Sequence, residues 1–165
     1  MGIRDIIPKY KDIHIEDDVL RPMRRLLAPH ARKRHVQLIR SIGFELIPII
    51  SSDPDLLSVI FYNLFDNAIK YSQKDSEIRV FCHRTTDEYQ IDVCNYGPEI
   101  EEDEREKVFA GGYRGINVRK REVGLGLGLF ISRNIARNLG YSLELIGTGC
   151  AGAEVTFRLR IPKEI

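Results

Sequence analysis

With 165 residues, 43% of them hydrophobic, the chain is the size of one domain and has the apolar content of a soluble globule that can bury a substantial core. Lys and Arg number 25 against 24 Asp and Glu, a net charge of +1, so no global field draws the chain to nucleic acid or an acidic membrane, and any basic patch is local. No apolar run approaches the ~20 residues of a bilayer span, the start carries no signal-peptide pattern, and Cys82, Cys94 and Cys150 are scattered, which fits reduced thiols in the cytoplasm better than a disulfide frame or a zinc site.

Residues 1–11 show little pattern and read as a linker or edge, with a single domain over 12–165. Ile13 and Ile15 alternate as a short strand, and Asp17 or Asp18 is placed to cap a helix over 19–34. Leu20, Met23, Leu26, Leu27 and Ala31 form its apolar stripe; Pro22 suits the first turn and Pro29 predicts a kink. Arg32, Lys33, Arg34 and His35 complement the dipole at its end, which reads as a solvated terminus rather than a binding patch. Residues 36–41 alternate as a strand, Gly43 turns the chain, and 44–50 is a second apolar stretch interrupted by Pro48.

Ser51, Ser52, Asp53 and Pro54 then read as an N-cap and first-turn proline for the central helix, 55–72. Leu57, Ile60, Phe61, Leu64 and Ala68 make one apolar stripe on it, and Asn63, Asn67 and Lys70 make a polar one along its edge. Two carboxamides and an ammonium so spaced fit a ligand. An amide oxygen is a hard, neutral donor for Mg²⁺, and a lysine offers a point charge to the same phosphates. The pattern equally fits a helix whose asparagines hydrogen-bond locally.

A polar turn at 73–76 precedes strands over 77–84 and 88–95, joined by Thr85, Thr86 and Asp87. Residues 101–109 suit a short amphipathic helix. Residues 110–123, rich in Gly, Arg and Lys and without periodicity, read as a flexible loop. Residues 127–139 form a helix ended by Gly140, and strands over 142–146 and 154–161 flank a glycine-rich turn, with Pro162 stopping the second. This order predicts α+β: one sheet with helices on one face.

Four segments occur in a fixed order: 63–72 on the central helix, 95–100 where a strand enters a Gly-Pro turn, 109–115, and 124–129, a Gly-Leu-Gly-Leu-Gly-Leu loop opening a helix. Together they resemble the N box, first glycine box, F box and second glycine box of the ATP-binding catalytic domain of sensor histidine kinases, in the Bergerat-fold group that also holds gyrase. The resemblance covers 50–162, and 10–50 in outline. It implies a two-layer α/β sandwich, a mixed and mostly antiparallel sheet with about three helices on one face and a flexible ATP lid.

The resemblance also implies roles. ATP and Mg²⁺ are the expected ligands. Asn67 is the expected Mg²⁺ ligand, Asn63 holds phosphate oxygens or metal-bound water, Lys70 neutralises phosphate charge and Tyr71 lies along adenine. Asn95 stands where the family has an aspartate that accepts the adenine N6 hydrogen bond, Gly97 admits the base and Ile100 packs beneath it. Phe109 anchors the lid. Tyr113 and Arg114 contact nucleotide, with Arg114 at the γ-phosphate, while Arg119, Lys120 and Arg121 are solvated. Gly124, Leu125, Gly126, Leu127, Gly128 and Leu129 form the phosphate cradle at a helix N-terminus. The chain departs from the family at Asn95, at Glu99 and Gly112, where glycine and an aromatic are usual, and at Ala153, where a hydroxyl residue is usual.

The ATPase branches carry a water-polarising glutamate at the position of Asn63, which cannot act as a base. The implied reaction is therefore phosphoryl transfer from ATP to a protein histidine by positioning and charge neutralisation, with Asn63, Lys70 and Arg114 as the catalytic set. His14, His30, His35 and His83 lack the acidic residue that follows the family's acceptor histidine. The acceptor is expected on a separate helical dimerisation domain, with a response regulator downstream, no nucleic-acid partner, no direct membrane contact, and a monomeric isolated domain. Competing readings are a degenerate module acting by protein–protein contact, a gyrase- or chaperone-type ATPase, and a serine kinase of the anti-sigma type.

Overall fold

The structure is a computed structural model describing residues 2, 5–98, 100–112, 126–148 and 154–163. Strand β1 (Lys11–Ile13) pairs antiparallel with β3 (Ile50–Ser52) in a two-stranded ribbon apart from the main sheet. The sequence predicts one sheet only; alternation marks a strand but carries no information about its partner.

A π-helical turn, Ile15–Leu20, runs into α1 (Arg21–Lys33). Asp18 does not cap this helix from outside: it lies in the first turn, where its Oδ2 accepts the His14 backbone N–H at 2.7 Å. Pro22 has no N–H to donate, and the turn ahead of it is wound wide, with the Arg21 N–H bonded to the Glu16 carbonyl. Helix α1 continues through Pro29, which lies on its exposed side, where water can serve the carbonyl that the proline cannot. Met23, Leu27 and Ala31 are buried but Leu26 is 64% exposed, so the apolar stripe is narrower than the spacing predicts.

β2 (Gln37–Leu38) is shorter than predicted and runs parallel to β4 (Glu77–Arg84). Gly43 then turns the chain at φ 85°; a Cβ there would lie 2.4 Å from the Cys82 carbonyl oxygen, so only glycine fits. Helix α2 (Pro54–Tyr71) starts at an N-cap read correctly from sequence. The Asp53 Oδ1 accepts the N–H groups of Asp55 and Leu56, both at 3.0 Å, and its Oδ2 accepts the Lys9 N–H at 2.6 Å. Phe65 and Ile69 are buried with the predicted stripe because α2 packs on the sheet and is flanked by α1 and by α3 (Gly128–Asn138). Each large side chain so buried contributes about 1.5–3 kcal/mol.

The main sheet has the order β2-β4-β5-β7-β6, with β5 (Glu88–Tyr96), β7 (Glu154–Pro162) and β6 (Ser142–Thr148), and every pair but β2-β4 is antiparallel. Alternate residues Ile78, Val80, Ile91, Val93, Leu143, Phe157 and Leu159 point into one core with the helices. The opposite face is polar. Asp92 takes two bonds from Arg158, each 2.7 Å, with His83 Nε2 at 3.2 Å, and Arg160 joins Glu88 to Glu144. Residues 101–109 form two 3₁₀ turns, Glu102–Glu104 and Lys107–Phe109, in place of one helix. Cys82 and Cys94 are buried; burial, with Asp92 and Glu45 nearby, pushes the Cys82 thiol up to about 12, while Cys150 lies outside the described residues. No helix among the described residues is long and apolar enough to cross a membrane.

Burial pushes the Asp53 carboxyl up, but the N–H groups of Lys9, Leu56 and Asp55, with the charge of Lys11, outweigh it and hold the group below its ordinary value of 3.8. A depressed carboxyl stabilises the fold above its unfolded pKa and loses that contribution as pH falls through the folded one. Asp53→Ala is expected to lower unfolding free energy by about 1–2 kcal/mol at neutral pH. Asp53→Asn should cost less, and its deficit against the wild type should vanish as acid titrates the native carboxyl. Urea denaturation across the acid range reads both.

Candidate functional site

The polar stripe of α2 survives folding as an accessible edge. Asn63, Asp66, Asn67, Lys70 and Tyr71 are all half-buried, while Leu64, Phe65, Ala68 and Ile69 beside them are buried. At the start of this edge, Asn63 Nδ2 donates to the fully buried Ser132 Oγ at 3.0 Å, which ties α2 to α3. The Asn63 amide oxygen lies 3.3 Å from where a Cβ on Gly128 would stand. The third glycine of the Gly-Leu-Gly-Leu-Gly run therefore sits on Asn63, and α3 opens its positive N-terminus on the polar edge of α2.

About 12 Å along, at the α2 C-terminus, β5 comes alongside. The Gln73 N–H bonds the Tyr96 carbonyl at 2.7 Å. A Cβ on Gly97 would lie 2.5 Å from the Tyr71 carbonyl oxygen and 3.1 Å from Asn95 Nδ2, so this contact excludes any side chain. Asn95 is only 3% exposed, on the helix-facing side of β5 with Ile91 and Val93. Ile100 and Leu129 pack half-buried against the core. Tyr71, Asn95 and Gly97 are thus brought together at one end of the edge, Asn63 and Gly128 at the other, with Asn67 and Lys70 between them on α2.

Lys70 is not isolated. Its Nζ is 2.8 Å from Asp66 Oδ2, His30 Nδ1 of α1 is 3.7 Å from the other Asp66 oxygen, and Arg34 Nη2 donates to the Lys70 carbonyl at 2.5 Å. Sequence reasoning omitted Asp66, whose i,i+4 spacing to Lys70 is a legible signal, and His30, which had none.

Phe109, expected to anchor the lid, packs into the core. Its ring meets Phe157 edge-on, centroids 6.0 Å apart at 86°, and the Arg133 guanidinium lies 4.1 Å over it. Arg133 also bonds Glu106 at 2.7 Å, and that hydrogen bond holds the Glu106 carboxyl below the usual range. Gly112 and Gly126, at φ 81° and 67°, are joined by a 3.2 Å bond from the Gly112 N–H to the Gly126 carbonyl. Leu127 and Phe130, near this bond, are 38% and 39% exposed. Tyr113, Arg114, Gly124 and Leu125, like Glu99 and Ala153, lie outside the described residues.

Residues 52–165 match the family described as histidine kinase-, DNA gyrase B-, and HSP90-like ATPase. The adaptive-response sensory kinase SasA of Rippkaea orientalis is 36% identical over 107 residues, 64% of this chain and 27% of that protein. The chain therefore spans about a quarter of the length of such curated relatives. Full-length ShkA, solved in complex with AMPPNP, shares the fold with TM-score 0.81 over 95% of this chain and 32% of that one at 21% identity. The catalytic domain of the histidine kinase ThkA does so with TM-score 0.75 over 94% of this chain and 98% of that one, at 22% identity. The matched span begins at the foot of α2 and takes in all four motif segments, and the chain belongs to the histidine kinase-, DNA gyrase B-, and HSP90-like ATPase family.

Proposed function

We propose that this chain binds ATP with Mg²⁺ along the edge of α2 and presents the γ-phosphate to a histidine on a separate helical dimerisation domain, in the cytoplasm, upstream of a response regulator. The observation that carries the reading is the pairing of two glycines, Gly97 on the Tyr71 backbone and Gly128 on Asn63, at the two ends of one polar stripe. Each lets one element approach α2 closely, β5 at one end of the stripe and α3 at the other. The donor set between them, neutral amides and one ammonium, suits a metal that takes most of its oxygens from water and substrate phosphates.

In this reading Asn95 accepts from the adenine amino group, Gly97 admits the ring, Ile100 supports it and Tyr71 lies along it. Asn67 holds Mg²⁺, which when bound neutralises phosphate charge. Asn63, with its Nδ2 committed to Ser132, offers its oxygen toward the phosphate end. Lys70 reaches the phosphates while Asp66 holds its ammonium on the polar edge. The N–H groups at Gly126, Leu127 and Gly128 receive the phosphates, and Tyr113, Arg114, Gly124 and Leu125 complete the lid. Asn63 cannot activate water, and the adjacent carboxylate, Asp66, is paired to Lys70, so the chain's residues orient and neutralise rather than supply a base. A histidine acceptor needs no such base within this domain.

Calorimetric titration with ADP and with a non-hydrolysable ATP analogue is expected to show binding that EDTA weakens and that Asn67→Ala lowers at least tenfold; equal binding by the variant would remove the metal assignment. Asn95→Asp restores a charge-assisted bond worth about 1–2 kcal/mol and is expected to tighten ADP about tenfold, at some cost in stability because the position is buried. With γ-labelled ATP, label is expected on an added histidine-bearing dimerisation domain of a sensor kinase and not on this chain alone. Label on a histidine of this chain would overturn the division of labour.

A further inference from the structure

On the other side of α1 from the edge proposed for nucleotide, α1 and the sheet margin enclose an open cleft of about 570 Å³ lined by Glu16, Arg21, Arg24, Arg25, Ala28, Leu38 and Arg40. Arg21, Arg24, Arg25 and Ala28 follow helical spacing and make one stripe of α1, while Leu38 of β2 and Arg40, just beyond it, line the opposite side. The arginines are not equivalent. Arg24 is bound to both oxygens of Glu16 and donates to Ser41 Oγ at 2.6 Å, so it builds the wall of the cleft. Arg21 pairs with the exposed Asp17 at 2.7 Å. Arg25 and Arg40 have no acidic partner among the described residues, so two guanidinium groups in one cleft are left uncompensated, on a chain whose net charge is only +1.

The second observation is the backbone beside them. β2 is the edge strand of the five-stranded sheet. The Gln37 and Ile39 N–H groups bond the carbonyls of Ser76 and Ile78, both at 3.0 Å. In a parallel ladder successive residues direct their polar groups to opposite sides, so those of Leu38 point away from β4, and its N–H has no backbone partner among the described residues. Edge strands are ordinarily blunted or covered because unpaired N–H and C=O groups template a further strand. This one is short, and its margin is cationic.

We propose that the α1–β2 cleft is a docking site for an extended acidic segment of a partner protein, which adds as a strand along the outer edge of β2 and lays its carboxylates on Arg25 and Arg40. Backbone pairing supplies the geometry and the arginines select for acidic residues, since a guanidinium presents a planar fork that fits a carboxylate. A flat anionic membrane matches the charge but cannot use the free backbone groups, and a duplex nucleic acid cannot enter as a strand.

The test uses a fluorescein-labelled peptide alternating glutamate and valine, the same peptide with lysine for glutamate, and one N-methylated at alternate residues so that one edge cannot pair. The wild-type chain is expected to bind only the first. The double variant Arg25→Glu, Arg40→Glu is expected to lose at least about tenfold in peptide affinity while retaining its circular dichroism and its nucleotide titration. In amide-resolved NMR the peptide is expected to shift the Leu38 amide more than those of Gln37 and Ile39. Failure of the acidic peptide to bind, equal binding of the N-methylated form, or binding to phosphatidylserine vesicles in its place would each overturn the proposal.

Discussion

The structure depends on the burial of α2 on more than one side. The helix lies on the sheet with α1 and α3 along its flanks, so Leu57, Ile60, Phe61, Leu64, Phe65, Ala68 and Ile69 are all taken from water. What remains for polar side chains is a strip along one edge, and Asn63, Asp66, Asn67, Lys70 and Tyr71 occupy it. Both ends of the helix are fixed by backbone chemistry rather than side-chain packing. Asp53 holds the first turn and the chain before β1 at once, and at the other end the Tyr71 carbonyl lies against Gly97 and the Gln73 N–H is bonded to Tyr96. A polar strip mounted on an element pinned in this way cannot rotate toward solvent without losing the core. This is the preorganisation that a binding edge requires.

The same economy appears in the glycines. Gly43, Gly97 and Gly128 each stand where a methyl group would meet another atom at 2.4, 2.5 and 3.3 Å, so elements approach more closely there than side chains allow. Gly43 brings the chain after β2 against β4, and its consequence is architectural. Gly97 and Gly128 do the same for β5 against α2 and for α3 against α2, and their consequence is that both elements meet α2 along its polar edge. Gly112 and Gly126 act by conformation instead: both take the left-handed region, and one hydrogen bond joins them. Phe109, close before Gly112, is held in the core by Phe157 and Arg133.

Much of this was legible because it is local. The Asp53-Pro54 start of α2, the β4–β5 hairpin, and α3 ended by Gly140 at φ 76° all rest on interactions within a few residues, and their boundaries fall within one or two positions of those predicted. What was not legible depends on partners far along the chain. The β1–β3 ribbon joins segments some forty residues apart, and nothing in either says whether its partner is the other or the main sheet. The width of the apolar surface on α2 followed from a second layer of neighbours, which spacing cannot reveal. Residues 101–109 broke into two 3₁₀ turns because Val108 and Phe109 are buried at the end of a charged run too short to sustain a helix. At the site, Asn63 bonded to Ser132 and Lys70 bonded to Asp66 show that the motif residues also hold the framework together, a role that a motif read for its ligand does not display.

Helix α1 borders both functional regions. His30 and Arg34 reach Asp66 and Lys70 on the polar edge of α2, whereas Arg21, Arg24 and Arg25 line the cleft beside β2. At about 100° per residue, position 30 is turned some 180° from position 21 and 140° from position 25, so the two sets stand on opposite sides of one helix, separated by its ~10 Å diameter. Between them Met23, Leu27 and Ala31 are buried against the core, and close-packed interiors transmit displacement rather than absorb it. An occupant that drew α1 toward β2 would act on the His30–Asp66 contact, already long at 3.7 Å, before it disturbed the shorter Lys70–Asp66 pair at 2.8 Å. The geometry thus orders the contacts: the cross-helix link yields first, and the Lys70 charge is held within α2 itself.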